Sequence, residues 1–558
     1  MQNHQATPAL LKGKGLPNYK EISPEEVNSQ IPKLLKSLQK ELATLETNLE
    51  NTLNKDEPLK WDEVMNPLYQ MGEKLRWSWG VISHLNGVCN SPELRNAYSA
   101  QQPEIVRFGN KLGQSKVIYN SLLKLKDSFS DTLDETQLRI LEAELLSMKH
   151  RGVGLDAAQK NVFNANSEKL AELSNKFSNN VLDATSAWSL LLTDPSDVEG
   201  LPERVLSNLA LNAKSAGDTS LGSDSLPPTK EKGPWRIGLD MPSYIPVITY
   251  SKNRHLREVI YKAHVSRASD GKLSNKSTIE EILLLRKEQS HLLGYKNWAE
   301  VSLASKMAKE ISNVEKLLEE LRSAAKPVAE KELEELQQCA YRHGDSDDNN
   351  LAPWDISFWS EKLRQEKFDL DQEKLRPWFP LPQVLNGLFS LCEKLFDIKI
   401  RPALEEGIPK WHQDVEFFRV FDQNNIEIAS FYLDPYSRTG SKRGGAWMDE
   451  CLIRSRADNG AMVLPVAYLV CNQTPPTENT PSLMSFEEVE TLFHEFGHGL
   501  QHMLTTVNYP QAAGINNVEW DAVELPSQFM ENWCLDRSTM NGIAKHWETG
   551  EQLPEKEF

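Results

Sequence analysis

The sequence predicts a mainly α fold built as two helical lobes with one small β-sheet, and three observations predict it. Apolar residues recur three and four apart over most of the chain, a single stretch between Val415 and Val470 switches to strand and turn patterning, and 558 residues exceed what one hydrophobic core usually supports. From about Ser23 to Ser189 the helical spacing is continuous, as in Ile31, Leu34, Leu35 and Leu38, followed by Leu42, Leu45 and Leu49. Lys214 to Gly233 is rich in Ser, Gly, Pro, Asp and Lys, and reads as a loop or linker. The division expected is a helical lobe over 1–213, a linker over 214–234 and a second region over 235–558. Trp235 to Tyr250 has β-like character, helical periodicity returns from Arg254 to Ala340, and a second break falls at Gly344 to Asn350. Strands are expected at Val415 to Phe421, Ile426 to Leu433 and Met462 to Val470.

Composition removes several function classes. Hydrophobic residues are 39% and charged residues 25%, as in ordinary globular proteins. A net charge of −18 argues against a general nucleic-acid binder, which needs a concentrated basic surface. Met1 to Tyr19 has no apolar run of signal-peptide length and reads as a cytosolic start. The most apolar stretch, Ala461 to Val470, is interrupted by Pro465 and is too short for a membrane helix. The six cysteines lack Cys-x-x-Cys spacing, so reduced, mostly buried thiols are expected rather than a thiolate zinc site or disulfides.

The chemistry is carried by His494-Glu495-Phe496-Gly497-His498. Ser485 followed by Glu488 is a capping box that starts a helix. At ~100° per residue, Phe486, Val489, Leu492, Phe493, Phe496, Leu500, Met503 and Leu504 then share one apolar arc. His494 and His498 fall on the other side, ~40° apart and ~6 Å along the axis, where both imidazoles reach one tetrahedral metal. Glu495, ~60° from His498, flanks the metal as a general base. Gly497 and Gly499 each cost ~1 kcal/mol relative to Ala in a helix interior, which points to something that approaches this helix closely. His502 continues the stripe as a rival ligand. A catalytic zinc takes a third protein ligand. Asn517 to Trp533 reads as a second amphipathic helix carrying Asp521, Glu524, Gln528 and Glu531 on one side, with Pro526 bending or starting it, and spacing alone leaves the three carboxylates open.

These residues resemble the oligopeptidase A and thimet oligopeptidase family of zinc metallopeptidases. The resemblance runs through Val489 to Leu500 and Trp520 to Trp533. It extends to Phe431 to Asp434, Lys442 to Met448, Pro353 to Asp355, Leu285 to Ala308 and Ser83 to Asn86, so that nearly the whole chain is covered. It implies that Glu524, in Val523-Glu524-Leu525-Pro526-Ser527-Gln528, completes the site with one Zn2+ per chain. It also implies a deep channel between the lobes, with the small sheet near the metal helix, and short peptides as substrates. Gln501 departs from the His often found there in relatives, at a position not expected to touch the metal. No Tyr follows Tyr509 and only His546 follows the zinc segment, so the chain is expected to lack a C-terminal segment of the family carrying a His- and Tyr-bearing loop.

The expected reaction is hydrolysis of short unstructured peptides by a cytoplasmic endopeptidase, monomeric when complete, with no nucleic-acid or membrane partner. Gln528 or Glu531 is a candidate to orient a ligand. Met462 to Val470 is a candidate edge strand for pairing with substrate, against burial inside the sheet. Two other readings are a dipeptidyl carboxypeptidase of the same superfamily and a zinc- or peptide-binding protein with little turnover.

Overall fold

The computed structural model describes residues 7–55, 58–129, 133–219, 226–344, 350–405, 407–457, 460–477 and 479–558. Parts of the breaks expected at Lys214 to Gly233 and Gly344 to Asn350, and the first residues of the cytosolic start, lie outside them.

The first six helices are α1 (Pro24–Asn54), α2 (Trp61–Val88), α3 (Pro92–Gly113), α4 (Lys116–Phe129), α5 (Glu135–His150) and α6 (Ala157–Ala187). Four of them begin where short polar residues cap them: Ser23 and Ser91 accept the Glu26 and Leu94 N–H groups, and Asp134 and Asp156 form capping boxes with Gln137 and Gln159. The stripe read from sequence on α1 is the stripe it buries, Ile31 to Leu49. Next come β1 (Leu190–Leu192), α7 (Glu203–Ser215), β2 (Trp235–Ile237), α8 (Met241–Tyr250) and α9 (Arg254–Val265). β1 pairs with β2, and residues from both sides of 214–234 share one buried cluster, from Leu192 to Ile260. The β-like reading of Trp235 to Tyr250 therefore holds only for its first three residues. Asp240 caps a helix by accepting the Ser243 N–H at 3.1 Å, Pro242 fits the first turn, and Tyr244, Val247 and Ile248 bury a helical face.

α10 (Lys276–Leu292), α11 (Trp298–Leu303), α12 (Ile311–Arg342), α13 (Pro353–Phe368), α14 (Gln372–Leu375) and α15 (Leu381–Phe396) follow. Strands β3 (Lys399–Pro402), β4 (Glu416–Phe421), β5 (Glu427–Tyr436), β6 (Trp447–Leu452), β7 (Ser455–Arg456), β8 (Met462–Val463) and β9 (Val466–Gln473) precede α16 (Phe486–Met503), α17 (Leu525–Asn532) and α18 (Arg537–Ile543). The main sheet has the order β3-β4-β5-β9-β6, with β5 and β9 parallel and the other pairs antiparallel. Its two faces belong to different cores. Phe417, Tyr432, Val466, Tyr468 and Val470 pack with the N-terminal helices, while Phe418, Phe431, Leu433, Ala467 and Leu469 pack with α15 and α16.

The strand expected over Met462 to Val470 is split at Pro465, which has no N–H to give a ladder. Its second part, β9, is an inner strand rather than an edge, and is buried on both faces. The edge beside it is β6. The helix expected over Asn517 to Trp533 begins only at Leu525, because Pro526 sits at its first turn. Among the described residues no helix is long and apolar enough to cross a membrane. The six cysteines are unpaired, and all but Cys89 are buried.

Candidate metal centre

α16 is positioned by its start and its underside. Ser485 accepts the Glu488 N–H at 3.1 Å while Glu488 accepts the Ser485 N–H at 2.7 Å. Val489, Leu492, Phe493, Phe496, Leu500 and Met503 are then buried against the sheet. His494 and His498 emerge on the opposite side.

The two glycines are explained by neighbours on that helix. A Cβ at Gly497 would stand 2.4 Å from the Pro526 carbonyl oxygen and 2.6 Å from the Ser527 Cα; one at Gly499 would stand 3.1 Å from the Leu469 side chain. The backbone entering α17 thus lies directly on α16, and this contact delivers Glu524. Its Oε2 is 3.2 Å from His494 Nε2 and 3.0 Å from His498 Nε2, and the three ligand atoms all lie within 4.8 Å of one another. Ser527 Oγ donates to the same carboxylate at 2.8 Å.

The remaining carboxylates separate by contact. Glu531, one turn further along α17 than Ser527, reaches His494 Nδ1 at 2.5 Å, with the imidazole donating. Asp521 turns away and accepts the N–H groups of Met307 and Ala308 at 3.0 and 2.9 Å. His502 is fully buried, 2.9 Å from the Leu452 carbonyl and 3.2 Å from Glu450, apart from the His494 and His498 pair. Gln501 donates to the Gly514 carbonyl.

Glu495 is 6% exposed, and its Oε2 is buried without a hydrogen-bond partner among the described residues. Burial pushes its carboxyl up to about 7; His494 pulls the other way, the Glu524 charge adds to the rise, and the Met448 N–H opposes it. Burial holds the His498 imidazole below its usual range, against the pull of Glu524. Two imidazole nitrogens and a carboxylate oxygen converging on one point, with one unpartnered Glu495 oxygen beside them, fit zinc better than calcium or magnesium, which take oxygen donors. Sequence reasoning did not find Met448, although the turn through Gly444 and Gly445 before β6 marks where a strand comes back toward the helix.

The family profile of Peptidase family M3 matches residues 247–558, and that of the Neurolysin/Thimet oligopeptidase N-terminal domain matches residues 31–160. The chain is similar to an organellar oligopeptidase A, chloroplastic/mitochondrial, of Arabidopsis thaliana, with 48% identity over 554 residues, 98% of this chain and 68% of that one. It is also similar to oligopeptidase A of Haemophilus influenzae, with 42% identity over 98% of this chain and 78% of that one. Among solved structures, a PZ peptidase A with inhibitor aligns with a TM-score of 0.50 and 13% identity, covering 92% of this chain and 70% of the other, a likeness of fold.

Proposed function

The chain belongs to peptidase family M3 and is a metallopeptidase acting on peptides, and on that premise we propose that His494, His498 and Glu524 hold one zinc ion per chain while Glu495 is the general base. The observation that carries the proposal is the convergence of two Nε2 atoms on one Glu524 oxygen, at 3.2 and 3.0 Å, beside a Glu495 carboxylate whose Oε2 is buried without a partner among the described residues. When bound, zinc supplies a Lewis acid that brings the pKa of water from ~15.7 towards ~7 and offsets charge on the carbonyl oxygen. Glu495 takes the proton of the attacking water and returns it to the nitrogen of the departing amine, so no covalent enzyme intermediate is needed. Glu531 orients His494 by accepting its Nδ1–H, which directs the Nε2 lone pair to the ion.

The substrates under this reading are short unstructured peptides, cut internally. The edge strand β6 adjoins Glu495 through Met448, and so offers backbone pairing to an extended chain. A cytoplasmic setting is part of the same proposal, supported by six unpaired cysteines.

The test uses two variants of the same chain. Glu495→Gln keeps the shape and the zinc but loses peptide hydrolysis, because an amide cannot accept the proton; Glu524→Ala loses the zinc. Hydrolysis by Glu495→Gln at the parent rate sinks the general-base role, and full zinc content in Glu524→Ala sinks the ligand set. Mapping the cut positions on peptides of increasing length separates internal cleavage from removal of C-terminal dipeptides.

A further inference from the structure

Among the described residues a second group brings three metal-binding atoms within 4.8 Å of one another: Cys339, His343 and Glu366. Cys339 and His343 stand one helical turn apart at the C-terminal end of α12, the same i, i+4 spacing that pairs His494 with His498. Glu366 reaches across from α13. Its Oε1 lies 2.6 Å from His343 Nε2, while its Oε2 accepts from the Arg342 guanidinium at 2.6 Å. Cys339 is fully buried in a small cluster with Leu336, Ala340, Phe358 and Trp359, and its Sγ lies within 4.8 Å of the His343 and Glu366 donor atoms.

We propose that Cys339, His343 and Glu366 form a second transition-metal site, separate from the His494 centre and suited to zinc. A surface ion cluster of Arg342, Glu366 and His343 needs no sulfur turned toward the carboxylate, nor a histidine one turn beyond that sulfur. One sulfur, one imidazole nitrogen and one carboxylate oxygen are the donors that select zinc over magnesium or calcium. The direct contact between imidazole and carboxylate is the arrangement also found at His494, His498 and Glu524, where the contacts are 3.2 and 3.0 Å. At 2.6 Å the newer pair must open slightly as an ion replaces the shared proton. Arg342 holds the other carboxylate oxygen, so Glu366 binds through one oxygen only and is oriented as ligands commonly are by a hydrogen-bonded neighbour. His343 and Glu366 are 46% and 33% exposed, which leaves an approach from solvent and a fourth position for water. The positive charge of Arg342 makes this the weaker of the two sites.

The site has a structural consequence. α12 runs from Ile311 to Arg342, yet its buried residues are Leu336, Cys339 and Ala340 alone. An ion at Cys339, His343 and Glu366 therefore ties α12 to α13 at the end where that helix is already seated.

The experiment is a cobalt(II) titration of the metal-free full chain, followed in the near ultraviolet. A sulfur-to-cobalt charge-transfer band reports the new site, since the His494 centre contains no sulfur. The expected result is a band that grows in after the His494 centre has filled and saturates at two cobalt per chain, or at one in Glu524→Ala, that disappears in Cys339→Ala, and that needs at least ~10-fold more cobalt in His343→Ala and Glu366→Ala. Zinc content falls from two to one per chain in Cys339→Ala. The band persists in Glu524→Ala, so loss of the catalytic reading and loss of this one are told apart. His343 is exposed, and its replacement leaves the core untouched if the buried cysteine variant fails to fold. Absence of a thiolate band at cobalt saturation overturns the proposal, as does a band that His343→Ala leaves unchanged.

Discussion

Replacing Gly497 with Ala adds one methyl group where two helices meet, and the outcome can be worked from distances. The new Cβ would lie 2.4 Å from the Pro526 oxygen, 2.6 Å from the Ser527 Cα and 2.8 Å from the Pro526 carbonyl carbon, all main-chain atoms that cannot rotate aside. Ordinary contact begins at 3.4 Å, so one of the two backbones must retreat by about 1 Å. Glu524 is the residue just before α17, tied to Ser527 by a 2.8 Å hydrogen bond, and it moves with that backbone. Metal–ligand distances tolerate only about 0.2 Å, so a shift of this size takes Glu524, the proposed third ligand, out of range. On stability the balance is a net loss of up to ~2 kcal/mol, since Ala gains ~1 kcal/mol of helix propensity and overpacking costs ~1–3 kcal/mol. Zinc affinity is the sharper readout. Competition with a chelator of known affinity should show zinc binding at least ~100-fold weaker in Gly497→Ala, the upper end of what a merely reoriented ligand costs. Hydrolysis should partly recover as zinc is raised. Parent zinc affinity in a well-folded Gly497→Ala protein would refute the claim that the α16–α17 contact delivers Glu524.

Three further outcomes are expected. Glu531→Gln should weaken zinc binding ~10–100-fold by loosening the hold on His494 Nδ1, read by the same competition assay. His502→Ala should leave zinc content intact but lower the urea midpoint, since the imidazole is fully buried against Leu452 and Glu450, and loss of zinc would reinstate it as a ligand. His84, stacked on Tyr468, is held neutral by burial, which lowers its pKa from 6.5 to about 3, against the pull of Asp434 and with Lys442 and Arg438. The unfolded chain binds this proton first, so the contribution is complete above pH 6.5 and is lost as pH falls through 3. At ~1.36 kcal/mol per pH unit it reaches about 5 kcal/mol, and His84→Phe should flatten the acid limb of stability against pH; an unchanged limb would contradict this.

Much of the centre was legible because its determinants are local. The Ser485 and Glu488 box, the apolar arc and the i, i+4 histidines need only one helix, and the two glycines announced a close neighbour that proves to be the Pro526 backbone and Leu469. Choosing among Asp521, Glu524 and Glu531 was not local. Asp521 is drawn off by Met307 and Ala308, residues more than two hundred positions away, and the helix that would have grouped all three does not start until Leu525. The place of β9 was hidden for a similar reason. A strand buried on both faces reads as a continuous apolar run, and nothing within it tells an inner strand from an edge. Cys339 and His343 escaped notice because their partner, Glu366, lies on the following helix.

The sheet packed on both faces also bears on how the chain is made. The Tyr19 phenol meets the Tyr468 phenol at 2.8 Å across 449 residues of sequence. Ribosomes add ~5–20 residues per second, so about 20–90 s separate the emergence of the two rings. Over that interval the newborn N-terminal helices carry an aromatic, apolar ridge whose cover has not yet been translated. The core of the N-terminal helices is therefore closed only once Val466, Tyr468 and Val470 of β9 have left the ribosome.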